Sequence, residues 1–509
     1  MTAVGRTLVL TTMMAGMSVA APAMSKDLES VPPTVAWGTC PQDVAAVAPL
    51  LECGLLAVPL DYDDPDGVQI ELMLSRQVST APDRRRGVLL LNPGGPGGTA
   101  GLAMPADLVA RGIPANVTDA FDLIGMDTRG VRYSSPVSCG FTDEQDYRGA
   151  VPPYAVDDDA VLEQAEAART VAEQCAANDI DGYLRHLSTA NMARDLDRIR
   201  IALGEETISY YGVSYGTALG AAYASMFPEH SDRIVLDSNI GDTHLDRDGL
   251  RRYALGVEDT FPDFADWAAA RHDSYGLGRS SAEVRATYLE LAERFDEEPL
   301  GDGFDGAWFR FMTFVTLYEQ TGYAPLAHLW QSLLGSDTTA VTVAEQLERN
   351  GTTDAPADPP PLPDGLSAFD NSWSVLLAVT CNDVKWAEDV ETYQQAVAED
   401  RQRYPLFGAA SANITPCAFW PHAPGEPPVA VDDDGPRNIL ILQNHHDPVT
   451  PHLGGVLLRE KFDQRSRLVT VQDSGHGVFV YRQNACATNI TTSFLVDGTM
   501  PARDTRCPA

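Results

Sequence analysis

Ile208-Ser209-Tyr210-Tyr211-Gly212-Val213-Ser214-Tyr215-Gly216-Thr217 is the stretch whose reading decides the fold. It sets Gly-x-Ser-x-Gly between a short apolar run and a run of small residues with helical spacing, Ala218 to Phe227. A tight strand-to-helix turn lifts a serine out of a sheet at a helix N-terminus. Glycines must flank that serine because the turn leaves no room for side chains. The bare motif is weak, since glycines and serines are common in turns. With its strand and helix it reads as a nucleophile elbow, and Ser214 is the candidate nucleophile.

Outward from the elbow, strands and helices alternate. Gly87 to Leu91 (GVLLL) and Phe121 to Met126 (FDLIGM) are continuous apolar runs, as buried parallel strands require. Gln69 to Val78 alternates and reads as an outer strand, and another begins at Gly54 to Pro59. Ala160 to Asn178 and Ser188 to Leu203 have helical spacing, the second with Ser188 as N-cap candidate and Gly204 as its stop. Ile234 to Leu236, Asn438 to Gln443 (NILILQ) and Arg467 to Gln472 (RLVTVQ) supply later strands, with a helix between the last two. The alternation predicts an α/β fold with a doubly wound, mostly parallel sheet.

The pattern breaks from about Thr243 to Asn413. Helical stretches dominate there: Leu250 to His272, Ser281 to Phe295, Ala307 to Leu334, Thr342 to Asn350 and Ala387 to Arg403. A proline-rich linker at Asp354 to Gly365 interrupts them. The expected organisation is a signal peptide over 1–23, a first core part over 37–242, a large, mainly helical lid insertion over 243–413, and a second core part over 414–509.

A serine nucleophile needs a base and an acid that orients it, and behind an elbow they follow in the order acid, then histidine. Asp447 lies in Gln443-Asn444-His445-His446-Asp447-Pro448, directly after NILILQ, at a strand's carboxyl end. His476 lies in Asp473-Ser474-Gly475-His476-Gly477, directly after RLVTVQ. Their separation of 29 residues leaves room for a turn, a helix and a strand, which brings His476 beside Asp447 at one edge of the sheet. The oxyanion of acyl transfer needs donors. Asn92-Pro93-Gly94-Gly95-Pro96-Gly97-Gly98 follows GVLLL, and its glycines let backbone N–H groups face a ligand. One donor is assigned to the Gly95 N–H and the other to the N–H of Tyr215. The phosphate-loop reading of these glycines fails, because the Walker spacing and its lysine are missing.

Composition limits the partners. The chain has 509 residues and a formal net charge of −36, which repels phosphate backbones and excludes nucleic acid as an expected partner. Thr7 to Ala20 is apolar after Arg6, and Ala21-Pro22-Ala23 offers small residues for cleavage, so an exported chain without a membrane span is expected. Eight cysteines in an exported chain predict disulfides. They allow 105 connectivities, of which pairing of sequential neighbours is the simplest. No Cys-x-x-C and no His, Asp and Glu cluster has metal spacing, so neither metal nor organic cofactor is expected.

Together NPGGPGG, FDLIGMDTRGVRYSSPVSC, ISYYGVSYGT, AVTCND, TPCAFWP, NHHDPVTP and SGHG resemble, in order, the secreted bacterial tripeptidyl aminopeptidases. These are serine peptidases of the α/β-hydrolase fold, related to the proline iminopeptidases. The resemblance runs from about Trp37 to Cys507. It implies Ser214 as nucleophile, Asp447 as acid, His476 as base, and Gly95 and Tyr215 as oxyanion donors. It also implies release of short peptides from free N-termini beneath a helical lid. Two positions depart from the family pattern: Arg132, where a glycine is usual, and Thr99, where a serine is commoner. Both put the substrate in question. The same triad would serve a carboxylesterase or lactonase acting on a small ester. An ammonium-binding carboxylate is expected in the lid, with Asp383 as the candidate.

Overall fold

The computed structural model describes residues 34–142, 145, 151–300, 303–335 and 365–509. The expected signal peptide, the helix at Thr342 to Asn350 and the linker as far as residue 364 lie outside the described residues.

The strands in chain order are β1 (Gly38–Thr39), β2 (Glu52–Pro59), β3 (Gln69–Gln77), β4 (Gly87–Asn92) and β5 (Phe121–Met126). Then come β6 (Ile208–Val213), β7 (Ser231–Asp237), β8 (Ile439–His446), β9 (Ser466–Ser474) and β10 (Thr505–Cys507). Counting helices of more than ten residues, α1 is Asp158–Asn178, α2 Thr189–Ala202 and α3 Tyr215–Met226. Next are α4 (Arg247–Ala269), α5 (Ser281–Glu297), α6 (Gly306–Thr316), α7 (Tyr323–Leu334) and α8 (Ala368–Asp383). The last three are α9 (Val390–Arg403), α10 (His452–Phe462) and α11 (Ala485–Asp497).

The described residues form one sheet in the order β1-β2-β3-β5-β4-β6-β7-β8-β9-β10. The first three strands pair antiparallel and β3 meets β5 antiparallel; all other pairs are parallel. This is the doubly wound, mostly parallel sheet that the alternation predicts. The chain leaves β4 for β5 on one side and returns to β6 on the other. The order therefore reverses between β4 and β6, and a crevice opens there at the carboxyl ends of the strands.

Strand pleating sorts the apolar runs onto two faces. Val88 and Leu90 of β4 and Tyr210 of β6 face one core with Met192 and Leu196 of α2 and Leu219 of α3. Leu89, Leu91 and Tyr211 face the other, with Leu108, Val117 and Phe494. Arg129 is fully buried at the α2 side. Its guanidinium grips Asp195 through two bonds of 2.7 Å and donates to the carbonyls of Pro59, Leu60 and His186, so this buried charge is both paired and hydrogen-bonded.

Helices α4 to α7 pack around an aromatic core of their own. Trp330 lies with its ring centroid 5.1 Å from Phe264 and 5.6 Å from Tyr288 and Phe309. The stretch Ala307 to Leu334, expected as one helix, is two. Glu319 is extended, and a side chain at Gly322 would strike Thr316, so the chain turns between α6 and α7. Helix α8 was not expected. It lies among the residues read as lid, yet Val375, Leu377, Ala378 and Val379 belong to the same core as β4 and β6. The cysteines pair as sequential neighbours: Cys40 with Cys53, Cys139 with Cys175, Cys381 with Cys417, and Cys486 with Cys507. No helix among the described residues is long and apolar enough to cross a membrane.

Candidate active site

Ser214 sits between β6 and α3 with φ 59° and ψ −124°, a conformation that costs a non-glycine residue about 1–3 kcal/mol. Its surroundings hold it there. The Ser214 N–H donates to the Asp237 carbonyl at the end of β7 (3.0 Å), and its own carbonyl accepts from the Thr217 N–H and hydroxyl. The flanking glycines are forced: a side-chain carbon at Gly212 would lie 2.4 Å from the Gly216 carbonyl oxygen. One at Gly216 would lie 2.8 Å from the Asn92 carbonyl oxygen on β4.

The loop after β4 lies directly on this elbow. At Gly94, φ is +100°, and a side-chain carbon there would stand 2.8 Å from Ser214 Cβ and 3.3 Å from the Tyr215 nitrogen. Asn92 Oδ1 takes up the Gly94 N–H at 2.9 Å, which leaves the Gly95 N–H as the next donor along the loop. The Tyr215 N–H belongs to the first turn of α3, where backbone donors have no partner within the helix. The two segments assigned as oxyanion donors are thus adjacent, beside the nucleophile candidate.

Asp447 follows β8 and is fully buried. Its Oδ1 accepts the N–H groups of Val449 (3.1 Å) and Thr450 (2.9 Å), and its Oδ2 accepts the Thr450 hydroxyl (2.8 Å). His476 Nδ1 meets the two carboxylate oxygens at 3.1 and 3.0 Å. The expected acid–histidine pair is therefore in contact.

Strand β9 lies three strands from β6, about 14 Å at the usual spacing of about 4.8 Å, so the loop of His476 must cross back. Its backbone donors show how it does so. The N–H of Gly475 goes to the His446 carbonyl, and that of His476 to the Tyr318 carbonyl. Gly477 donates to Ser238 Oγ, Val478 to Asp237 Oδ1 and Phe479 to Asp237 Oδ2, at 2.8–2.9 Å. Tyr211 of β6 closes the circuit: its hydroxyl donates to the Asp237 carboxylate and to the Phe479 carbonyl. One residue, Asp237, thus holds Ser214 through its carbonyl and the His476 loop through its carboxylate. Burial pushes that carboxyl up to about 6, against the pull of its donors.

Sequence reasoning missed Asp237, Ser238, Asn444, Tyr318 and Arg482. Asn444 Nδ2 bonds the carbonyls of Gly475 and Gly477, and Arg482 bridges the carbonyls of Tyr318 and His476. A signal existed for Asp237, an aspartate closing a buried apolar strand, and for Asn444, three residues before Asp447. None existed for Tyr318, which reaches the site from another part of the chain.

The neighbouring histidines are not part of this pair. His446 Nδ1 lies 2.6 Å from Asp263 of α4, which holds its imidazole above the ordinary range. His445 packs beside it at a tilt, and burial pushes it down. Asp383 does not offer an open carboxylate: both oxygens are taken by Thr189, through its N–H (2.7 Å) and hydroxyl (2.6 Å). Burial pushes Asp383 up to about 7. Thr189 and Asp383 also wall a cavity of about 630 Å³ that runs past Arg194 and Glu426. The two departures from the family pattern touch each other. Arg132 keeps a left-handed φ of 42° that a glycine would adopt freely, and its guanidinium bonds the Thr99 carbonyl (2.9 Å) and pairs with Asp43.

Known proteins are similar to this chain in sequence. The family described as "TAP-like protein" matches residues 404–507, which hold Asp447 and His476. The tripeptidyl aminopeptidase of Streptomyces coelicolor is 35% identical over 488 residues, covering 92% of this chain and 85% of that protein. The serine protease Hip1 of Mycobacterium bovis is 30% identical over 477 residues, covering 89% and 87%. Carboxylesterase B of Mycobacterium tuberculosis is 28% identical over 488 residues, covering 94% and 90%. With an identity of 35% over nearly the whole length of both proteins, and with the sheet described above, the chain belongs to the tripeptidyl aminopeptidase family of α/β-hydrolases.

Proposed function

We propose that the protein is an exported serine aminopeptidase that releases short peptides, tripeptides among them, from free N-termini. The contact of His476 Nδ1 with the buried Asp447 carboxylate, on a loop tied back to the elbow of Ser214, carries this reading. In the mechanism, Asp447 accepts the Nδ1 proton of His476 in a hydrogen bond, so Nε2 is left as base. Ser214 Oγ attacks the scissile carbonyl as Nε2 takes its proton. The N–H groups of Gly95 and Tyr215 bind the oxyanion. His476 then protonates the leaving amine, and water cleaves the acyl-enzyme by the same route.

The names of the relatives from Streptomyces and Mycobacterium bovis support a peptide substrate. Residues 243–413 act in this reading as a lid whose closure restricts the enzyme to chain ends. The net charge of −36 adds long-range attraction for an ammonium group, screened over about 10 Å at 0.1 M salt. Four disulfides support export, because they persist in oxidising compartments.

The second reading, a carboxylesterase or lactonase, is favoured by one relative, the carboxylesterase of Mycobacterium tuberculosis. Chromogenic tripeptides with free and acetylated N-termini, assayed beside a short-chain nitrophenyl ester, separate the two. An aminopeptidase loses roughly tenfold or more in kcat/KM on acetylation, since removing one partner of a desolvated ion pair costs a few kcal/mol. Equal rates on both peptides, with faster turnover of the ester, give the site to the esterase.

A further inference from the structure

We propose that helix α8 positions the oxyanion hole from both sides, with Ser372 and the Thr189–Asp383 pair as positioning residues. The proposal rests on the assignment of the Gly95 and Tyr215 N–H groups as oxyanion donors.

The N-terminal half of α8 holds the loop that carries Gly95. Ser372 Oγ donates to the Gly97 carbonyl at 3.0 Å. Contact is close enough that a side-chain carbon at Gly97 would fall 2.5 Å from the Ser372 carbonyl oxygen and 3.2 Å from Val375 Cβ. Next to it, Asn371 Oδ1 accepts the Arg132 N–H at 2.9 Å, and Arg132 in turn donates to the Thr99 carbonyl. The glycine loop is thus pinned at two carbonyls, those of residues 97 and 99, by groups that belong to α8 or rest on it.

The C-terminal end of the same helix reaches the other donor. Asp383 is its last residue and takes both the N–H and the hydroxyl of Thr189. Since the Thr189 hydroxyl proton goes to Asp383, its oxygen accepts from the Tyr215 hydroxyl 2.5 Å away. Tyr215, Thr189 and Asp383 are all buried. This chain fixes the ring of the residue whose backbone N–H faces the oxyanion. A simple helix cap does not account for it: Ser188 already caps α2 through the Asn191 N–H, so Asp383 is an additional acceptor. Cys381, two residues before Asp383, is tied to Cys417, which anchors the end of the brace.

Oxyanion donors work only within about 2.7–3.1 Å of the developing charge, and a misplacement of about 1 Å costs up to about 100-fold. Loosening one end of the brace should therefore lower kcat and leave ground-state binding alone. The test uses the full chain with Thr189→Val, Thr189→Ser and Ser372→Ala. Competent sites are counted with a fluorophosphonate, and turnover of a nitrophenyl ester is expressed per labelled site. Thr189→Val and Ser372→Ala are each expected to lose about tenfold in kcat with KM within about twofold, and Thr189→Ser to recover most of it. Inhibition by phenylboronic acid, whose serine adduct puts an oxygen in the oxyanion position, should weaken in step with kcat/KM. A change in melting temperature with kcat per site within twofold of wild type in both Thr189→Val and Ser372→Ala overturns the proposal, as does a loss confined to KM. Should Thr189→Val fail to fold, the Ser372→Ala result decides alone. Failure of the wild type to be labelled at Ser214 would instead defeat the underlying site assignment.

Discussion

Asp447→Asn removes one charge and almost no volume, so its effect isolates what the carboxylate does for His476. In the wild type Oδ1 holds the N–H groups of Val449 and Thr450, while Oδ2 faces the Thr450 hydroxyl and shares His476 Nδ1 with Oδ1. An asparagine must keep its carbonyl oxygen toward the two backbone donors, because turning the amide nitrogen there would set it against both N–H groups. The amide nitrogen then faces Thr450 Oγ and His476 Nδ1. The threonine adapts by rotating its hydroxyl, but the imidazole must accept at Nδ1 and carry its proton on Nε2. That tautomer cannot take the proton of Ser214. Loss of the correct tautomer with intact geometry lowers kcat by about 10⁴, which is about 5 kcal/mol at 1.36 kcal/mol per decade. The assay is ester and peptide turnover per folded molecule, with circular dichroism and melting temperature as controls. KM should stay within a fewfold. Activity within tenfold of wild type in a folded Asp447→Asn variant would refute the reasoning, and Asp237, which holds the same loop, would become the residue to examine.

Ser214→Ala should fold normally, lose several orders of magnitude in turnover, and fail to react with a fluorophosphonate that labels the wild type at residue 214. The Asp127 carboxyl is pushed up to about 7 by burial, against the pull of Arg132. The folded chain therefore binds this proton more tightly than the unfolded chain, and the stability it contributes is lost as pH rises from about 4 to about 7. Asp127→Asn should then raise the melting temperature more at pH 8 than at pH 5; an equal shift at both would remove the burial argument. Denatured but unreduced protein should take up no thiol alkylator. Removing the Cys139–Cys175 bridge, which spans 36 residues, should cost about 4 kcal/mol of stability, read by denaturant unfolding.

The centre of the sheet was legible because its strands are buried on both faces. Runs such as Val88 to Leu91 admit no other reading between turn signals, and each triad candidate stands directly after such a run. The elbow was legible for a steric reason, since Gly212 and Gly216 each meet a backbone oxygen that forbids a side chain. Helix α8 was not legible. Eleven of its sixteen residues are buried, Asp370, Asn371 and Ser374 among them, while Phe369, Trp373 and Leu376 lie on its half-buried face, so the sequence lacks the apolar–polar period that announces a helix. The break between α6 and α7 was hidden for a related reason: both flanks are helical in pattern, and only contact with Thr316 decides that Gly322 turns the chain. From sequence Asp383 reads as a carboxylate open to an ammonium group, but its partner Thr189 lies 194 residues away, and no local pattern links them.

Those long-range partners bear on what the residues between 243 and 413 do. A cap that merely covers a finished site could be removed and leave a working hydrolase. Here the candidate site residues make direct contacts with them. The His476 N–H ends on the carbonyl of Tyr318. Gly256 of α4 lies so close to the Asp447 and Pro448 carbonyls that a side-chain carbon would stand 2.7 and 2.4 Å from their oxygens. The glycine loop leans on Ser372, and Tyr215 on Thr189 and Asp383. Three of the four candidate segments meet residues 243–413 at a hydrogen bond or a close backbone contact, and Tyr215 reaches Asp383 through Thr189. Excising it would free one donor at His476 and one acceptor at Gly97 and open a wall of the core along Val375 to Val379. Changes among residues 243–413 that alter substrate choice should therefore also act on kcat, and a variant selected there for a new substrate should change the rate per labelled site as well as KM.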